Sequence, residues 1–140
     1  MTISQITIFI ENKKGTLLKI LDIFKSEQIQ LVTTTIADTE DYGLLRIICD
    51  APAKALAALQ RNCIPAVLSN VFAIKLEDRP GCAAETIALF AEAGISISYL
   101  YSFLLDGNGI LVFNSEMTEK VKDVIVSHHL STVSDNSFQR

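Results

Sequence analysis

Two short segments set a glycine among acidic, amide and basic residues just ahead of an apolar run. One reads Glu11-Asn12-Lys13-Lys14-Gly15-Thr16-Leu17 and the other Glu77-Asp78-Arg79-Pro80-Gly81-Cys82-Ala83. A glycine just before a helix lets a ligand approach the backbone, since no Cβ intervenes. The first N–H groups of that helix lack intrahelical partners and carry the positive end of its dipole, so they suit a carboxylate. A tight turn that needs only conformational freedom would use the same residues. Both readings stand at this point.

Other chemistry is poorly provided for. His128 and His129 are adjacent near the end of an expected helix. They therefore point about 100° apart and read as surface histidines near a helix C-terminus, where positive charge is favoured. Cys82 opens a helix, a place that can lower a thiol pKa, but no histidine lies near it in sequence, so it reads as a small packed residue. Cys49, Cys63 and Cys82 are odd in number and widely spaced. They indicate neither a disulfide framework nor a zinc site, and they fit a reducing cytoplasm. No Gly-x-Gly-x-x-Gly, Walker loop, His-Glu-x-x-His or Gly-x-Ser-x-Gly occurs. No catalytic residue, metal site or cofactor is expected.

The elements that position the two segments repeat. Sliding the sequence by 66 residues brings Ile8 onto Ile74, Glu11 onto Glu77, Gly15 onto Gly81, Phe24 onto Phe90, Ile29 onto Ile95 and Gly43 onto Gly109. Two copies of one unit follow, roughly residues 4–68 and 70–134, giving domains 1–69 and 70–140 with hardly any linker. In the first copy Ile6, Ile8 and Ile10 alternate with Thr7 and Phe9 as in a strand. Leu17, Ile20, Leu21 and Phe24 then recur at helical spacing. Strands are expected over Gln30–Ala37 and Leu44–Cys49, and Pro52 suits the first turn of a helix carrying Ala55, Leu56 and Leu59. A short closing strand is expected at Ile64–Leu68 beside Pro65. The second copy predicts strands at Phe72–Leu76, Ser96–Leu104 and Ile110–Phe113, with Gly107-Asn108-Gly109 as the turn between the last two. Its helices carry Ala83, Ile87 and Phe90, then Val121, Val124 and Ile125, before a weak strand at Thr132 and Val133. The order βαββαβ is the ferredoxin-like α+β arrangement, an antiparallel sheet with helices on one face. Thr7, Phe9, Tyr99 and Tyr101 should point away from the helices. Such an apolar face suggests that the units pack together and that the chain forms a homodimer.

Charge and hydropathy narrow the partners. The 140 residues carry 12 Lys plus Arg against 16 Asp plus Glu, and the only basic cluster is Lys13-Lys14. A nucleic-acid partner is therefore not expected. Tyr99, Tyr101 and Phe103 alternate on the second strand of their copy, whereas RNA-binding modules of this strand order stack bases on the first and third. The longest apolar runs, Ala55–Leu59 and Ile87–Ala91, fall far short of the ~20 residues of a membrane span. Met1-Thr2-Ile3-Ser4-Gln5 lacks the basic start of a signal peptide. No membrane association is expected, and a cytoplasmic location is.

Asp78-Arg79-Pro80-Gly81, then a helix, then Ala93-Gly94-Ile95-Ser96-Ile97 resembles the hallmark of the ACT domain. That family consists of small ferredoxin-like modules that bind amino acids and regulate metabolic enzymes. The first copy keeps Asn12 and Gly15 but has Lys14 where the second has Pro80. Ala37 to Arg46 and Gly94 to Phe103 are similar to stretches of the stand-alone tandem ACT proteins. The resemblance implies a non-catalytic protein that holds a free amino acid between two ACT units. The ligand carboxylate would meet backbone N–H groups at Gly15, Thr16 and Leu17 or at Gly81, Cys82 and Ala83, with Lys13, Lys14, Arg79 and Pro80 in the same loops. Asn12 or Asp78 would accept from the ammonium group, with backbone carbonyls near Ser98 and Tyr99 as further acceptors. Arg46 is a further candidate, though a salt bridge with Asp38 or Asp41 accounts for it equally. The alternative is a regulatory subunit that docks on a separate enzyme of amino-acid metabolism.

Overall fold

The computed structural model describes residues 1–11, 15–38 and 42–138. Its elements are β1 (Thr2–Glu11), α1 (Thr16–Ser26), β2 (Leu31–Asp38), β3 (Tyr42–Cys49), α2 (Pro52–Arg61), β4 (Ala66–Leu76), α3 (Cys82–Glu92), β5 (Tyr99–Leu105), β6 (Asn108–Asn114) and α4 (Thr118–Ser127). A short 3-10 turn follows at Asp135–Ser137. The chain forms two compact units of βαββαβ order. One comprises Ser4–Asn70 with the segment from Asp135 onward; the other comprises Val71–Ser134 with Met1–Ile3.

In the first unit β3 lies between β2 and β1, antiparallel to both. Ile6 stands opposite Ile47 and Ile8 opposite Leu45, so these four side chains share one face. Ile20 and Phe24, one helical turn apart on α1, pack on that face with Ala55 and Leu59 of α2. Thr7 and Phe9 take the other face, where Phe9 is 46% exposed and its ring lies 6.4 Å from that of Tyr42. Two bonds from Asp135 tie the C-terminal segment to this unit: its carboxylate accepts from the Ser4 N–H and hydroxyl, both at 2.7 Å. Phe138 is buried beyond it.

The second unit repeats the plan, with β6 between β4 and β5. Phe72 and Ile74 stand opposite Phe113 and Leu111. Phe113 is the centre of the core, its ring 5.5 Å from Phe72 and 5.0 Å from Phe90 of α3. Val121, Val124 and Ile125 of α4 complete it. Tyr99 and Tyr101 are half-buried, whereas Leu100 between them is exposed, the alternation that the sequence predicts.

Several boundaries differ from the sequence expectations, and the strand expected from Ser96 begins at Tyr99. The closing strand of the first copy and the opening strand of the second are one strand, β4, which runs through Ser69 and Asn70 although both residue types favour turns. The β5–β6 turn is Asp106-Gly107, both at positive φ (51° and 81°), between the paired residues Leu105 and Asn108. Asp-Gly suits that two-residue type I′ geometry, and Gly109 instead stands in the ladder opposite Leu76. The weak strand at Thr132 is a single bridge to Ile74, flanked by Lys75 N–H to Ser131 O and Val133 N–H to Ala73 O.

All four helices end alike. Gln28, Cys63, Gly94 and His129 follow α1, α2, α3 and α4 in the left-handed conformation. The next residue in each case, Ile29, Ile64, Ile95 or Leu130, donates its N–H five residues back, to Phe24, Leu59, Phe90 or Ile125. This is the Schellman closure, in which the apolar residue after the left-handed one turns inward.

Candidate ligand-binding loops

Each candidate segment joins the end of a sheet strand to a helix. Gly15 and Gly81 are the N-caps of α1 and α3, at φ 87° and 85°, and among the described residues no side chain caps either helix. A left-handed N-cap excludes most L-residues, so here glycine serves conformation first. It also leaves space: a Cβ on either would meet nothing within 4 Å. The two readings that the sequence left open are therefore both physically served.

Asn12, Lys13 and Lys14 lie outside the described residues. Asp78 to Gly81 is described in full. The Arg79 guanidinium bridges the loop, with Nε 2.8 Å from Glu77 and Nη2 2.6 Å from Glu85 in the first turn of α3. The Arg79 hydrogen bond and charge hold the Glu85 carboxyl below the usual carboxylate range. Cys82 N–H approaches Arg79 O at 3.4 Å, and the Thr86 hydroxyl donates to Cys82 O.

Each helix start lies between two clefts, and the clefts obey the 66-residue offset. On one side the first unit has a cleft of about 480 Å³ containing Glu11, Thr16, Lys19, Cys63 and Ile64. Its counterpart in the second unit, about 350 Å³, contains Glu77, Cys82, Glu85, His129 and Leu130 at the equivalent positions. On the other side Ile10, Thr16, Leu17, Asp38 and Gly43 line about 250 Å³. Leu76, Cys82, Ala83, Leu104 and Gly109 are their equivalents in a cleft of about 460 Å³, which also takes in Asp78, Arg79, Pro80 and Gly81. Charge breaks the equivalence: Lys19 in one unit is Glu85 in the other.

Gly15, Thr16 and Leu17 are thus brought together, as are Asp78 to Ala83. Ser98 and Tyr99 are not. Tyr99 pairs with Asn114, whereas Leu104 beside the loop pairs with Gly109, five residues and about 17 Å along the strand. Arg46 stands opposite Thr7 and Thr35, on the face away from the helices, and Asp38 projects from the other face. The sequence reading missed Lys19, Glu85, Leu104 and the helix-end residues Cys63 and His129. Their signal was present in the offset, which pairs Cys63 with His129 and Ile64 with Leu130. Among the described residues no three of His, Cys, Asp and Glu are grouped to hold a metal ion, and no helix is long and apolar enough to cross a membrane.

A family model described as an ACT domain pair matches residues 1–140. The chain belongs to the ACT domain pair family. Among solved structures this ACT pair is similar to protein BT0572 from Bacteroides thetaiotaomicron, with 28% identity, TM-score 0.92, and 100% of this chain and 97% of that one covered. It is also similar to the regulatory subunit of aspartate kinase from Thermus thermophilus in its ligand-free form, with 16% identity, TM-score 0.61, and 89% and 91% covered. The corresponding subunit from Thermus flavus gives 16% identity and TM-score 0.58 over 90% and 92%. At these identities the aspartate kinase subunits show the shared fold. No curated protein matches the chain.

Proposed function

We propose that this ACT pair binds a free amino acid reversibly, without turnover, and acts as a cytoplasmic regulatory protein in the form of a homodimer. The observation that carries the reading is the doubled helix start: two helix N-termini without a side-chain cap among the described residues, each opened by a left-handed glycine and each between two clefts. Backbone N–H groups at such a start, turned to the positive end of the helix dipole, match a carboxylate. In the second unit Asp78, in the cleft with Gly81 to Ala83, supplies an acceptor for an ammonium group. An α-amino acid carries both charges on one carbon.

Thermal unfolding against each of the twenty amino acids at millimolar concentration tests this. A ligand at 100 times its dissociation constant adds about 2.7 kcal/mol of stability. If none of the twenty raises the melting temperature, the binding reading is wrong. A second reading is favoured by the names of the aspartate kinase regulatory subunits: this chain docks on a separate enzyme of amino-acid metabolism. Co-purification of such an enzyme with the tagged chain from its source cell is the expected result there.

A further inference from the structure

The net charge of -4 belongs to one repeat. Residues 4–70 carry seven Lys and Arg against seven Asp and Glu, whereas residues 71–134 carry four against eight. The imbalance is sharpest at the helix starts. In the first unit the charged residues there are Glu11, Lys13, Lys14 and Lys19, three cations against one anion. In the second they are Glu77, Asp78, Arg79 and Glu85, one cation against three anions. Glu85, the fourth residue of α3, reaches back over the helix start to Arg79 at 2.6 Å. Helical side chains lean toward the N-terminus, so the equivalent position on α1 has the same reach. Its occupant is Lys19, which lines the cleft of about 480 Å³ with Gly15 and Thr16. The offset also sets Lys13 at the place of Arg79. The ion pair of the second unit thus has two lysines as its counterpart in the first. Among the described residues no carboxylate pairs with Lys19.

We propose, resting on the amino-acid reading above, that the first unit's cleft selects an amino acid with a side-chain carboxylate, and that Lys19 pairs with this second anion. The backbone at Gly15 to Leu17 takes the α-carboxylate, and Lys19 stands one helical turn, about 5.4 Å of rise, further along α1. Aspartate and glutamate hold their two carboxylates two or three carbons apart, and the flexible lysine stem closes the remaining gap. Glu11 in the same cleft adds an acceptor for the ammonium group. Phe9, Ile20, Ile64 and Pro65 form apolar walls, which strengthen a charge pair by lowering the local dielectric. In the second unit the same ligand would bring its side-chain carboxylate to Glu85, and like charges there exclude it. One fold, used twice, thus accepts an acidic ligand at one helix start and rejects it at the other.

Calorimetry with aspartate and glutamate against asparagine and glutamine tests the selection, since each amide matches its acid in shape and lacks only the charge. At least one acid should bind about tenfold tighter than its amide, and the difference should shrink as salt rises. Lys19→Glu gives the first unit the residue type that the second has at Glu85. It should erase the preference and leave circular dichroism unchanged, because Lys19 is exposed. Lys25→Glu makes the same change of charge at an exposed site on the same helix, outside the clefts, and should leave the preference in place. Equal binding of acids and amides, or tighter binding of a neutral or basic amino acid, overturns the proposal. So does a preference that survives Lys19→Glu or that Lys25→Glu erases as well. Each of these leaves the binding reading standing. If none of the twenty amino acids binds, both fall together.

Discussion

Replacing Gly81 by alanine and by asparagine separates the two services that the glycine performs. At φ 85° an L-residue pays for the left-handed conformation, and the added Cβ meets nothing within 4 Å. The cost is therefore conformational alone. Alanine should lose about 1 to 2 kcal/mol, which for a chain of this size lowers the melting temperature by about 3 to 7 °C. Asparagine tolerates the left-handed region and should lose about half as much. Both carry a Cβ beside the cleft that holds Asp78, Cys82 and Ala83. If a ligand carboxylate comes to the backbone here, both variants should lose most of the amino-acid response. Urea titration measures the stability, and calorimetry or thermal shift measures the binding. An asparagine variant that binds normally would refute the close-approach argument and leave glycine a conformational role only. An alanine variant losing more than about 4 kcal/mol would refute the claim of open space.

Two other outcomes follow from the same geometry. Gln28→Gly and His129→Gly relieve left-handed conformations at φ 56° and 52°, and each should stabilise by about 1 kcal/mol in urea; Gly94→Ala, at the equivalent place after α3, should destabilise by about as much. Glu85 has a depressed carboxyl pKa because Arg79 donates to it, so the contribution of this pair is complete above the ordinary glutamate range and fades as pH falls through the folded value below it. A carboxyl NMR titration should find Glu85 titrating below other exposed glutamates and moving up to them in Arg79→Gln.

Much of the fold was legible because the two copies share kind and spacing at once. Ile6 and Ile8 announced strand periodicity, Ile20 and Phe24 a helical face, and the 66-residue offset transferred each assignment to Ile74 and Phe90. Gly15 and Gly81 were legible as special positions, and both proved left-handed. What escaped depends on groups far apart in sequence. Nothing local tells Ser69 and Asn70 that they lie inside one uninterrupted strand, or Ser98 that its hairpin register carries it away from Gly81. The left-handed helix ends at Cys63 and His129 escaped because neither is glycine, although the apolar residue after each was a usable sign. The clefts beside Lys19 and Glu85 form only when helix, strand end and Schellman turn converge.

The division of the chain has a consequence for its synthesis. The first unit spans Ser4–Asn70, yet the acceptor for the Ser4 N–H and hydroxyl is Asp135, and Phe138 is buried just beyond. A ribosome adding ~5 to 20 residues per second needs about 3 to 13 s to travel from Asn70 to Asp135. The repeat made first is therefore the repeat completed last, waiting until Asp135 has been made. The second unit incorporates Met1–Ile3 and has its last piece from the beginning. A premature stop before Asp135 would damage the N-terminal half of the protein rather than the end that it removes.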